Sequence, residues 1–178
     1  MGYAFGLRRE AGGRQDRRGS DDMTPATVKI THADPASPDA AGILARHLAF
    51  TLAASPPGTC FAFDAERLQA TDITFWLAYL EGAPAGCAAL NARDDGLAEL
   101  KSMHVLDAAR GAGVGRALAD HVIEAARTAG FTRIGLETGR SDGFAASRRL
   151  YARAGFRPCP AFPPYRDGGF SYCMMREL

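Results

Sequence analysis

Residues 98–130 read AELKSMHV, LDAARGAGVGR and ALADHVIEAARTAG in succession. The stretch predicts a strand, a glycine-rich turn and an amphipathic helix. Gly111, Gly113 and Gly115 alternate along the turn, with Arg110 before them and Arg116 after. Side chains cannot crowd such a loop, so its backbone N–H groups are free to point at an anion. The helix that follows adds the positive end of its dipole. Val114, Leu118, Val122 and Ala125 form one face of that helix and Arg116, Asp120, Glu124 and Arg127 another, with Gly130 as its stop. The pattern specifies a phosphate site before it specifies a ligand.

Working outward, Ile73–Leu80 (ITFWLAYL), Ala85–Asn91 and the strand at 98–105 are separated by the turns Glu81–Pro84 and Asp94–Gly96. They predict an antiparallel meander that delivers the chain into the glycine loop. Downstream, Thr132–Glu137 is a strand that a right-handed crossover places parallel to the strand at 98–105. A helix over Phe144–Ala154 follows, with Ala146, Leu150 and Ala154 facing inward, and then a strand from Phe156 and another over Phe170–Arg176. Near the start, Val28–Thr31 is a strand. Ser37-Pro38-Asp39 begins a helix, with Ser37 as its N-cap and Ile43, Leu44, His47, Leu48, Thr51 and Leu52 on its apolar face. His47 is expected to pack rather than to catalyse. Asp64 caps a short helix over Ala65–Ala70. Residues 1–26, with five arginines and two GG or GS-type breaks, predict a mobile extension; 27–178 form a single α/β domain.

Composition bounds the function. The 178 residues are 47% hydrophobic and 23% charged with a net charge of +1, so no bulk field selects nucleic acid or an anionic membrane. No apolar run reaches the roughly 20 residues of a membrane span, and no secretory leader is visible, so a cytoplasmic location is expected. Cys60, Cys87, Cys159 and Cys173 are scattered without ligand spacing, which predicts reduced thiols and no metal.

Three phosphate loops compete for the stretch. A P-loop requires a GK[ST] ending, and no lysine is present there. A dinucleotide fingerprint requires GxGxxG, and GAGVGR from Gly111 is one residue short and follows a meander rather than opening a parallel sheet. The third is R-x-x-G-x-G, matched by Arg110-Gly111-Ala112-Gly113-Val114-Gly115. Together with Leu150-Tyr151-Ala152-Arg153-Ala154-Gly155-Phe156 (LYxxxGF), it resembles the GNAT N-acetyltransferase superfamily from about Thr27 onward. The runs SPPG (55–58), DITFW (72–76), ELKSM (99–103) and ETG (137–139), with Cys159, Phe162 and Tyr165, are similar to a bacterial subgroup of unsettled substrate.

The resemblance implies a mixed, mostly antiparallel sheet of six or seven strands with a splayed parallel pair and flanking helices. It implies acetyl-CoA as co-substrate, no metal, a small-molecule or peptide amine as acceptor and a homodimer as a common state. Met103, His104 and Val105 would face the pantetheine arm and thioester. Arg110, Gly111, Ala112, Gly113, Val114, Gly115 and Arg116 would hold the pyrophosphate. Where many relatives carry a coenzyme-contacting asparagine, this chain has Phe144, with Ser147 or Asp142 as substitutes.

Acetyl transfer to an amine needs a base for the ammonium, a donor for the oxyanion and an acid for the departing thiolate. Glu99 is the base candidate, by likeness to a strand glutamate of the histone-acetylating branch. Strict alternation, unless a bulge intervenes, puts Glu99, Lys101 and Met103 on one face and turns His104, the rival base, away. The alternative for Glu99 is a carboxylate paired with Lys101. Tyr151 is the acid candidate from LYxxxGF, its alternative being a packing residue. Tyr165, Arg166 and the loop Pro158–Gly169 are expected near the acceptor end, Arg140 near the cofactor cleft, and Trp76 in the core. The rival functional readings are a non-catalytic acyl-CoA sensor and a nicotinamide or flavin enzyme.

Overall fold

The computed structural model describes residues 27–178. The extension expected over residues 1–26 lies outside them. The elements run β1 (Val28–His32), α1 (Pro38–Ala54), β2 (Ile73–Leu80), β3 (Ala83–Ala92), β4 (Ala98–Val105), α2 (Val114–Thr128), β5 (Arg133–Gly139), α3 (Ala145–Arg153), β6 (Arg157–Pro158) and β7 (Ser171–Glu177). They form one seven-stranded sheet in the order β1-β2-β3-β4-β5-β7-β6. Every described pairing is antiparallel except β4–β5. The expected mixed sheet with one parallel pair is therefore present.

Each sheet face carries its own core. On one, the α2 stripe Val114, Leu118, Val122 and Ile123 packs on Ala88, Leu90, Leu100, Ile134 and Leu136, all 5% exposed or less. At about 25 cal/mol per Å² of apolar surface, such stripes account for most of the helix's hold on the sheet. On the other, Ala40, Ile43 and Leu44 of α1 meet Phe75, Leu77, Cys87 and Ala89. Trp76 is buried in the first core, edge-on to His121.

Four local expectations are corrected. Pro38 opens α1, but Ser37 makes no capping hydrogen bond, and its hydroxyl is buried without a partner. Leu48 and Leu52 are 41% and 58% exposed; the buried residues of α1 are Ala40, Ile43, Leu44 and Thr51. Asp64 does cap, accepting the Arg67 amide at 2.8 Å, but the element it opens is only a 3-10 turn over Arg67–Gln69. In α3, Tyr151 and Ala154 are buried whereas Ala146 is exposed.

Candidate active site

The site begins where β4 and β5 part. Their parallel pairing covers only Ala98↔Ile134, Glu99↔Gly135 and Leu100↔Leu136, yet β4 continues to Val105 and β5 to Gly139. Beyond Leu100 the strands splay. A cavity of about 540 Å³ opens between them, and Met103, His104 and Val105 line it.

A bulge in β4 sets which side chains face which way. Cys87 pairs with His104 and Ala89 with Lys101, so Ser102 and Met103 together oppose Ala88. Ser102 sits at φ 49°, a left-handed conformation unusual for a non-glycine residue. The extra residue reverses the alternation after it. Met103 and Val105 turn to the α2 side, against Gly115. His104 turns to the α1 side, its ring 5.6 Å from His47 and 6.4 Å from Phe50. The expectation from strict alternation is thereby overturned: His104, not Met103, shares a face with Glu99 and Lys101.

At one end of the cavity lies the glycine loop. Gly111 and Gly113 have φ 83° and 85°, and Gly113 is the N-cap of α2. The first amides of a helix have no intrahelical acceptor, so those of Val114, Gly115 and Arg116 are available to a ligand. All of these residues and Arg110 line the cavity; Ala112 does not. Gly115 packs closely on α3: a Cβ there would fall 2.7 Å from Leu150 Cδ1, and that side chain would have to shift. Arg110 pairs with Asp107 at 2.7 Å and Arg116 with Asp120 at 2.6 Å. Ser147 and Tyr151 also line the cavity, whereas Asp142 does not. Tyr151 packs edge-on to Phe156, and burial, reinforced by Glu137, raises its pKa, so its hydroxyl keeps its proton.

At the root of the splay, where Glu99 still pairs with Gly135, lies a buried polar cluster. Glu99 is 2% exposed and does not line the cavity. The Tyr165 hydroxyl donates to its Oε1. Arg93 and Asn91 donate to its Oε2 at 3.3 and 3.4 Å. Lys101, 7% exposed, does line the cavity; its Nζ donates to Tyr165 Oη at 2.8 Å and to the Phe61 carbonyl at 3.1 Å, and stands 3.8 Å from Glu99 Oε1. Burial lowers the Lys101 pKa against the opposing pull of Glu99 and Glu137. Burial raises that of Glu137, which faces the cavity from β5. The His104 pKa falls through burial, then through Arg110. That of His47 falls to about 4, burial again leading.

Tyr165, expected near the acceptor end, sits on Glu99. Arg140 instead ties its loop to the Gly169 and Ser171 carbonyls, at 3.2 and 3.1 Å, and does not line the cavity. Arg166 is exposed. Glu137 went unnoticed as a site residue; its signal was its place in ETG, just past the last paired position of a parallel strand. Among the described residues, no group of three or more His, Cys, Asp or Glu side chains could hold a metal. No described helix is long and apolar enough to cross a membrane.

Comparison with known proteins decides the family. Residues 45–156, spanning β4, the glycine loop and all of LYxxxGF, match the model of the acetyltransferase (GNAT) family. The chain belongs to the GNAT family. An Escherichia coli (strain K12) protein described as an uncharacterized N-acetyltransferase, YedL, is 34% identical over 144 residues, which are 81% of this chain and 87% of that protein. A Klebsiella pneumoniae acyl-CoA N-acyltransferase structure shares the fold with a TM-score of 0.69 at 22% identity, over 85% of this chain and 97% of that one. A Bacillus subtilis acetyltransferase solved in complex with CoA does so with a TM-score of 0.61 at 17% identity, over 85% and 99%. As a GNAT member, the chain is an acetyltransferase.

Proposed function

We propose that the protein moves an acetyl group from acetyl-CoA to a primary amine, of a small molecule or of a protein, by direct attack of the amine. The observation that carries this reading is the left-handed glycine pair Gly111 and Gly113 at the head of α2, opening onto the splay between β4 and β5. Its amides fit a pyrophosphate, and the CoA complex of the Bacillus subtilis neighbour supports the same ligand. Acetyl-CoA supplies an activated thioester, so no covalent enzyme intermediate is needed.

In this reading the free edge of β4 at Met103 and Val105 aligns the pantetheine arm. Gly111–Arg116 hold the pyrophosphate, and Tyr151 protonates the departing sulfur. Glu99 is the final proton acceptor, reached through a side chain that lines the cavity as Glu99 does not. The test is a panel of amines and peptides incubated with acetyl-CoA, read by thiol release and by mass spectrometry of the acetylated product. Product with at least one amine is expected. Binding of acetyl-CoA without any product returns the protein to a sensor role. A melting temperature raised by a dinucleotide and not by coenzyme A refutes the assignment of the loop.

A further inference from the structure

Lys101 stands between the cavity and the buried carboxylate. Its Nζ has three N–H bonds. Two are used, on Tyr165 Oη at 2.8 Å and the Phe61 carbonyl at 3.1 Å. Among the described residues no third acceptor lies within hydrogen-bond distance, Glu99 Oε1 being 3.8 Å away. The Tyr165 hydroxyl in turn donates to Glu99. A continuous hydrogen-bonded chain therefore runs from a cavity-lining amine, through a phenol, to a carboxylate that the cavity does not reach. Its far end touches Arg93 and Asn91, which line a separate, open surface pocket with Arg67 and Asp72. A proton delivered to Glu99 thus has polar neighbours on the side away from the cavity.

On the reading that the protein is an acetyl-CoA-dependent N-acetyltransferase, we propose that Lys101 takes the proton from the acceptor's ammonium group and that Tyr165 passes it on to Glu99. In the resting chain, Tyr165 gives its hydroxyl proton to Glu99 Oε1 and receives one from Lys101 Nζ. This leaves a neutral amine and a carboxylic acid. The neutral Nζ then accepts one proton from the acceptor ammonium, which acquires the lone pair it needs to attack. Only N–H and O–H bonds change, and one proton moves from acceptor to Glu99. Lys101 is the catalytic residue here; Tyr165 and Glu99 act through it.

Burial favours a Lys101 that gives up its proton, while Glu99, Glu137 and the Phe63 ring favour the charged form. The cluster faces it with Glu99 on its own strand, Glu137 from β5, Tyr165 from the β6–β7 connection, Arg93 after β3, and Cys60 and His47 from the α1 side. The aromatic ring of Phe63 lies 4.5 Å from Nζ. Burial is the largest influence on Lys101 and lowers its pKa, while the two carboxylates oppose it. An arginine could not serve, since a guanidinium does not deprotonate in a protein.

The chain contains two lysines, Lys29, which is exposed, and Lys101. Uniform labelling with lysine carrying carbon-13 at Cε therefore gives two signals, assigned with Lys29→Arg, and the wild-type protein suffices for the titration. The Lys101 midpoint is expected below the ordinary lysine value. With any amine that the panel identifies, Lys101→Met and Lys101→Arg should both lose about 100-fold or more in kcat, with acetyl-CoA affinity unchanged. Tyr165→Phe should displace the rising limb of the kcat–pH profile. Equal loss from Met and Arg separates the proton from the charge. Acetyl-CoA binding with Lys101 titrating beside Lys29, or Lys101→Arg keeping the wild-type pH profile, overturns the relay alone. Absence of acetyl-CoA binding overturns the acetyltransferase reading instead.

Discussion

His47 makes the protein sensitive to mild acid, by an amount the structure sets. Its ring lies between α1 and β4 against His104, and its Nδ1 is buried with no hydrogen-bond partner. Burial, followed by His104 and Lys101, lowers its pKa from 6.5 to about 4. Above pH 6.5 the ring is neutral in the folded and unfolded chain alike, and its full contribution is present. Between pH 6.5 and 4 the unfolded chain binds a proton that the folded chain refuses, so stability falls as the pH falls. The whole window is worth about 3 kcal/mol. Replacing the ring by an amide of similar size, in His47→Gln, removes the proton and with it the effect. Urea unfolding followed by the fluorescence of Trp76, the single tryptophan and a buried one, measures both proteins from pH 7 to 4. Carboxylates titrate in both, so the difference between the two curves isolates the histidine. Wild type should lose about 3 kcal/mol more than the variant. Parallel curves would refute the reasoning and mean that the ring takes its proton inside the fold at no cost.

Three further outcomes are expected. Gly113→Asp places a side chain at φ 85° and a negative charge at the head of α2; acetyl-CoA affinity by calorimetry should fall about tenfold or more. Tyr151→Phe keeps the contact with Phe156 and loses the hydroxyl; turnover should fall about 100-fold at an unchanged melting temperature. Ser102→Val sets a β-branched residue at φ 49°; urea unfolding should show a loss of about 1–3 kcal/mol, and an unchanged midpoint would remove the bulge from the account.

How far the sequence could be read follows from which signals are local. Ile73–Leu80 is bounded by turns and filled with aromatic and branched residues, and the strand falls on those residues. The glycine loop and its helix were legible for the same reason, since φ near 85° at Gly111 and Gly113 is a property glycine announces. The bulge was not. Serine rarely adopts φ 49°, so nothing at Ser102 marks the place where alternation breaks, and the facing of Met103 and His104 was inverted as a result. The partners of Glu99 were partly legible. Lys101 is two residues away, but Tyr165 reaches it across 66 residues, through a loop whose path depends on tertiary packing. Glu137 acquires its role only because β4 and β5 diverge, a geometric fact with no single residue behind it.

The extra residue at Ser102 also acts on substitutions as a change of parity. Before it, the odd-numbered positions of β4, Glu99 and Lys101, face the polar cluster, and the even-numbered Leu100 belongs to the α2 core. After it, the even-numbered His104 takes the α1 side, while Met103 and Val105 pack toward α2. A scan of this strand by charged substitutions should therefore not show one period-two rhythm. Losses of folding should track even positions up to Leu100 and odd positions from Met103. Two stretches of one strand, out of phase by a residue, answer to the same face of the sheet with opposite parity.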